Sequence, residues 1–190
     1  MHTVAGIKET APALLRVAAF FHDIGKPIVA MEKQGSLVFY GHARKSAKVA
    51  CHILKEMGYS DADIKEICFC IKYYDDFISW VLPEEEYNRE NMYLVPITKE
   101  NMQKHIEKAL KKIDIDDFQP NKESWKQLLE LCYADVSAQA DVVIQDGTII
   151  DTKEHKLSKI KALKNCCLRL FGRLGLWSRF YKPFWQFFFM

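Results

Sequence analysis

LLRVAAFFHDIGKP, residues Leu14 to Pro27, joins an apolar run to a His-Asp pair and then to Gly-Lys-Pro. The run reads as a buried helix that ends at the pair. A titratable imidazole beside a carboxylate at such a helix end is either an accident of the terminus or two side chains that share a cation. Gly25 lets the chain turn away and Pro27 fixes its exit.

Outward from this stretch, Gly and Pro are sparse and the apolar residues recur with helical periodicity, so the expected class is all-α, a bundle of about six to seven helices. The spacing predicts helices from the start to about Glu9, Ala11 to His22, His42 to Met57, Asp61 to Tyr74, Thr98 to Ile113, Lys122 to Asp141 and Lys153 to about Leu170. Ser60, Thr98 and Asn121 or Ser124 are the expected caps, and Gly58 is an expected stop. VVIQDGTII, Val142 to Ile150, reads as one small β-hairpin about Asp146-Gly147. Leu82 to Pro96 reads as an irregular surface loop.

The 190 residues, 49% hydrophobic, suffice for one sizeable domain, placed at 1–165, with a basic aromatic tail at 166–190. The net charge of +2 hides an asymmetry. The tail carries Arg169, Arg173, Arg179 and Lys182 and no acidic residue, leaving the body at 23 basic against 25 acidic. The body is no general binder of polyanions, and any nucleic-acid contact is expected to be local. Six cysteines without a C-x-x-C pair read as reduced, buried thiols of a cytoplasmic protein. No secretory leader pattern or run of about 18 apolar residues is visible. His2 falls at once inside an expected helix, so the chain is expected to begin within a longer protein or domain.

Asp135 is the odd residue by periodicity. Advancing about 100° per residue from Trp125 places it inside the stripe of Leu128, Leu131 and Cys132, where a carboxylate is costly unless hydrogen-bonded, paired or metal-bound. It is either a satisfied buried carboxylate or a ligand. His42 lies at the edge of the apolar face of its helix, whereas His52 points to the opposite, charged side. His105 and His155 sit in charged helices and read as solvated. His2, His22, Asp23, His42 and Asp135, from four helices, remain as a candidate set. Imidazole with carboxylate suits Mn, Fe, Zn or Mg, and the lack of thiolate argues against a structural zinc site.

HTV at the start, LLRVAAFFHDIGKP, FYGHARKSAKVACHILKEMGYS and LLELCYADVSAQA together resemble the HD superfamily of metal-dependent phosphohydrolases. The likeness is strongest to the HD domains attached to CCA-adding tRNA nucleotidyltransferases, and it runs from His2 to about Leu163. Carried over, the family's ligand set falls on His2, His22, Asp23 and Asp135, with His42 as an additional substrate-binding histidine. The resemblance implies one divalent cation that lowers the pKa of a water and holds a phosphoryl oxygen. Asp23 and Lys26 then take catalytic roles, and Lys26 or Arg44 neutralises the phosphate of a phosphorylated small molecule, a nucleotide or an RNA end. One departure is that Tyr74 and Asp75 stand where relatives with a second metal often carry His-Asp, which favours a one-metal or weakened site. Tyr74 is expected to pack, and Asp75 to accept a hydrogen bond from a ligand histidine.

Two other readings compete. One is an HD-type module that has lost catalysis and helps a tRNA nucleotidyltransferase-like or polynucleotide kinase-like protein hold nucleotide or RNA. The other concerns the tail, whose last 20 residues hold nine aromatics among arginines, a composition seen in interfacial membrane helices.

Overall fold

The computed structural model describes residues 2–33, 35–77, 79–83, 94–111, 118–145 and 148–173. The chain is mostly helical: α1 (His2–Ala5), α2 (Ala13–Phe21), α3 (Lys26–Val29), α4 (His42–Glu56), α5 (Asp61–Tyr73), α6 (Lys99–Lys111), α7 (Lys122–Ser137) and α8 (Lys153–Arg173), with a 3-10 turn at Tyr74–Phe77. Three strand pairs complete it among the described residues. β1 (Met31–Lys33) and β2 (Ser36–Val38) are antiparallel, β3 (Trp80–Val81) and β4 (Val95–Pro96) are parallel, and β5 (Val142–Gln145) and β6 (Thr148–Thr152) are antiparallel. The last pair is the expected hairpin, although Asp146 and Gly147 lie outside the described residues. Of the expected irregular loop, 84–93 lies outside them too, and Val95–Pro96 forms β4.

α5 is the central element because it has little polar face to spare. Ile64, Ile67, Cys68, Phe69, Cys70, Ile71 and Tyr73 are all buried, so the helix must be covered on several sides. α4, α2 and α7 do this, and α8 packs on the outer side of α7. Phe69 meets Trp125 edge-on at 5.3 Å, joining α5 to α7 at the centre of the core. α4 presents small residues inward, Ala43, Ser46, Ala47 and Ala50, which permits a close approach of its backbone. α8 runs on past residue 165, with Cys167 and Leu170 buried. The rest of the aromatic tail, 174–190, lies outside the described residues. Among the described residues no helix is long and apolar enough to cross a membrane, and all six cysteines are free.

Local chemistry sets the helix starts. The Ser60 hydroxyl accepts from Asp63 N–H at 3.2 Å. Asn121 and Ser124 form a reciprocal capping box on α7, and Ser124 also donates to Glu66 of α5 at 2.9 Å. Asn121→Ala is expected to lower stability by about 1 kcal/mol, read as a small fall in Tm with the metal centre below intact.

His105 departs from the expectation of a solvated ring. It packs against Phe77 at 5.1 Å and Trp80 at 5.5 Å, and only 15% of its side chain is exposed. The reason is that α6 turns Met102, Ile106 and Ala109 to the core and position 105 falls on that face, while charged Lys104 and Lys108 on the other side disguise it. Burial, aided by the Lys108 charge, pulls the imidazole down to about 4. Such a ring binds its proton less readily folded than unfolded, so its contribution is complete above pH ~6.5 and is lost as pH falls toward 4. His105→Leu is therefore expected to gain on the wild type by roughly 2 kcal/mol between pH 7.5 and 4.5, measured by urea unfolding at both values.

Candidate metal centre

The apolar residues Leu15, Ala18, Ala19 and Phe21 bury α2 and bring its end into the bundle, so that His22 emerges 6% exposed and Asp23 follows beside it in a cleft. α7 approaches from the other side and carries Asp135 to the same point. Among the described residues, His22, Asp23 and Asp135 form the one group of His, Cys, Asp or Glu donors close enough to hold a metal ion, with their atoms all within 4.8 Å of one another. Nε2 of His22 lies 3.2 Å from Oδ1 of Asp135 and 3.3 Å from Oδ2 of Asp23.

The donor chemistry fits a divalent cation. Nδ1 of His22 lies 2.7 Å from the Ala19 carbonyl oxygen, which accepts its N–H and directs the other nitrogen at the two carboxylates. In the neutral ring that nitrogen carries a lone pair, so three electron-rich atoms converge, an arrangement that calls for positive charge at their centre. The titration behaviour agrees. Burial pulls the His22 imidazole down, but the bond to Asp135 and the charges of both carboxylates outweigh it and leave the group raised. Burial pushes the Asp135 carboxyl up, yet His22 and the Gln139 amide hold it below its ordinary value. Gln139 donates to Oδ2 of Asp135 at 3.1 Å and is itself fixed by Lys156 at 3.0 Å.

The remaining candidates fall into distinct places. His2 is exposed on α1 and lines the same cleft, of about 450 Å³, but it stands outside the three-donor group. Its neighbour Thr3 is buried and reaches Asp135 Oδ1 at 3.4 Å. Lys26 also lines the cleft, its Nζ 2.7 Å from Oδ2 of Asp23. Arg44 is exposed on the first turn of α4, acts on the Asp76 carboxyl and does not line this cleft. His42 is buried, its Nε2 2.6 Å from the Tyr74 hydroxyl oxygen and its Nδ1 2.9 Å from the Phe39 carbonyl oxygen. Asp75 is 3.9 Å from that Nδ1, beyond hydrogen-bond range.

Tyr74 does more than pack. Its hydroxyl donates to Oδ1 of Asp23 at 2.9 Å, linking the end of α5 to the pair at the end of α2. Burial and the neighbouring Asp23 charge push the phenol far above its ordinary value, so it keeps its proton. Phe20, also missed, is 60% exposed and forms part of the cleft wall. Its exposure on an apolar helix is not visible in periodicity, because only the cleft leaves that side uncovered.

Residues 2–118, more than half of the chain, match the HD domain. The chain belongs to the HD domain family. The all-α architecture agrees with this membership. No curated protein and no solved structure matches the chain. The matched span contains His2, His22, Asp23, His42 and Tyr74 but stops before Asp135, whose place in the centre rests on the geometry of α7 alone. HD domains bind divalent metals and are generally hydrolases, and the His22, Asp23 and Asp135 group is a donor set of that kind.

Proposed function

We propose that this HD domain is a metal-dependent phosphohydrolase acting on the phosphate of a nucleotide or RNA end. The observation that carries the reading is the convergence of His22, Asp23 and Asp135 at the floor of a cleft whose wall also holds Lys26. These three residues would hold one divalent cation, Mn, Fe, Zn or Mg, with His2 as the fourth candidate. When bound, such an ion supplies Lewis acidity to a phosphoryl oxygen and lowers the pKa of a water.

The chain's own residues do the rest. Asp23 and Asp135 hold fixed negative charge at the floor, and Gln139 and Thr3 keep Asp135 from turning. Lys26 brings a cation to the mouth, where phosphate charge would lie, and its ammonium is steadied 5.8 Å over the Phe39 ring. Phe20 offers an exposed aromatic face on which a base would stack, beside apolar Val4 and Ala19. The likeness of HDIGKP and the downstream Gly-His to the HD domains of CCA-adding nucleotidyltransferases supports the same substrate class, and the free thiols support a cytoplasmic setting.

Lys26→Met is expected to reduce nucleotide hydrolysis by roughly 10²-fold while metal content per chain stays at the wild-type value. Loss of metal together with activity would move Lys26 from the phosphate to the support of Asp23.

One observation favours the non-catalytic reading. Both oxygens of Asp23 already have protein donors, Tyr74 on Oδ1 and Lys26 on Oδ2. Elemental mass spectrometry on protein purified without chelator separates the two. About one Mn, Fe, Zn or Mg per chain supports the hydrolase. None, even after those ions are added, leaves a nucleotide- or RNA-binding accessory module of a larger protein.

A further inference from the structure

We propose that Tyr74 is a positioning residue that sets Asp23 for the cation, and that His42 braces the Tyr74–Asp23 pair. The inference rests on reading His22, Asp23 and Asp135 as metal ligands.

Asp23 is the most exposed of the three donors. It sits just past the end of α2, with 35% of its side chain exposed, where a carboxylate rotates freely unless something holds it. The two oxygens divide their partners. Oδ1 takes the Tyr74 hydrogen at 2.9 Å, while Oδ2 faces Nε2 of His22 at 3.3 Å. The phenol therefore fixes one oxygen, while the other lies between Nε2 of His22 and the Lys26 ammonium, 2.7 Å from it.

Tyr74 is built to hold that position. The residue is 7% exposed, its backbone carbonyl accepts from the Cys132 thiol at 3.2 Å, and its ring stands edge-on to His22 at 5.2 Å. A hydroxyl has one hydrogen, and Tyr74 gives it to Asp23. Nε2 of His42 lies 2.6 Å from the Tyr74 hydroxyl oxygen and 3.5 Å from Oδ1 of Asp23. His42 is engaged at both ring nitrogens, 9% exposed, and not part of the cleft wall. It braces the phenol and the Asp23 carboxylate together, an outer support of the kind that typically changes metal affinity 10- to 100-fold.

The test is isothermal titration of Mn²⁺ into the full chain, as wild type, Tyr74→Phe, His42→Leu and Asp23→Asn. Tyr74→Phe removes one oxygen and keeps the ring, so Tm should stay near the wild-type value while Mn²⁺ binds about 10- to 100-fold more weakly. His42→Leu should weaken binding by a smaller factor. Should either single variant fail to fold, the other still carries a predicted loss. Equal Mn²⁺ affinity in Tyr74→Phe and wild type, with loss only in Asp23→Asn, would overturn the inference and leave the metal centre standing. A wild type that binds no Mn²⁺ would overturn the metal reading and this inference with it.

Discussion

Asp23→Asn is expected to leave chelator-free purification with no tightly held Mn, Fe, Zn or Mg, and to hydrolyse phosphate esters at least about 10³-fold more slowly than wild type. Asparagine keeps the size of the side chain and an oxygen for the Tyr74 hydroxyl at Oδ1. What it removes is the charge, and with it the counter-ion of Lys26. The fold should be little affected, because Asp23 is partly exposed and none of the core depends on it. Circular dichroism and Tm close to wild type would therefore accompany the loss of metal. Asp135→Asn should lose metal in the same way, and here the comparison is more telling because Asp135 lies beyond the span that matches the HD domain. Elemental mass spectrometry and a phosphodiester assay read both variants. Metal retained at wild-type stoichiometry in either would remove that residue from the ligand set.

How far this centre is legible in the sequence depends on what each residue does locally. His22 and Asp23 are visible because an apolar helix that ends on two ligand types is a local pattern. Asp135 is visible because the 3.6-residue repeat makes a carboxylate inside an apolar stripe conspicuous. The same repeat reports nothing about Tyr74. A buried tyrosine on a core helix is ordinary, and its partners lie 51 and 32 residues away, at distances that only tertiary packing sets. His105 is misjudged for a related reason: charged neighbours on α6 hide how completely Phe77, Trp80 and Trp125 enclose the ring. The β1–β2 hairpin also escapes a reading of the sequence. Its strands are three residues each and almost wholly exposed, so no apolar alternation marks them.

Gly25, expected to serve a turn, has a different task in the structure, which makes Gly25→Ala a damaging change to the scaffold. Its φ of −83° and ψ of −13° are open to any residue, so conformational freedom is not what glycine contributes. The space is. A Cβ there would stand 2.5 Å from the Ser46 backbone nitrogen, and 2.9 Å from both the His42 carbonyl oxygen and the Ser46 hydroxyl. Ser46 is fully buried, and its hydroxyl accepts the Gly25 N–H at 2.9 Å, so α4 is drawn against the chain at this point. An added methyl must push the first turns of α4 away, at a cost of about 3 kcal/mol or more. For a chain of this size that corresponds to a fall in Tm of roughly 6–12 °C. The displacement also moves His42 and, through Tyr74, Asp23, so Mn²⁺ affinity should fall with stability. Trimming Ser46 as well, in Gly25→Ala with Ser46→Gly, should restore little, because the nearest obstruction is backbone. Gly58 supplies the contrast. It has φ +78° and nothing within 4 Å of the place a methyl would take, so Gly58→Ala meets only the left-handed backbone penalty of about 1–2 kcal/mol and should leave Mn²⁺ binding unchanged. A Gly25→Ala protein whose Tm matched that of wild type would show that α4 does not press on the HD turn, and the structural reason for glycine at this position would have to be sought elsewhere.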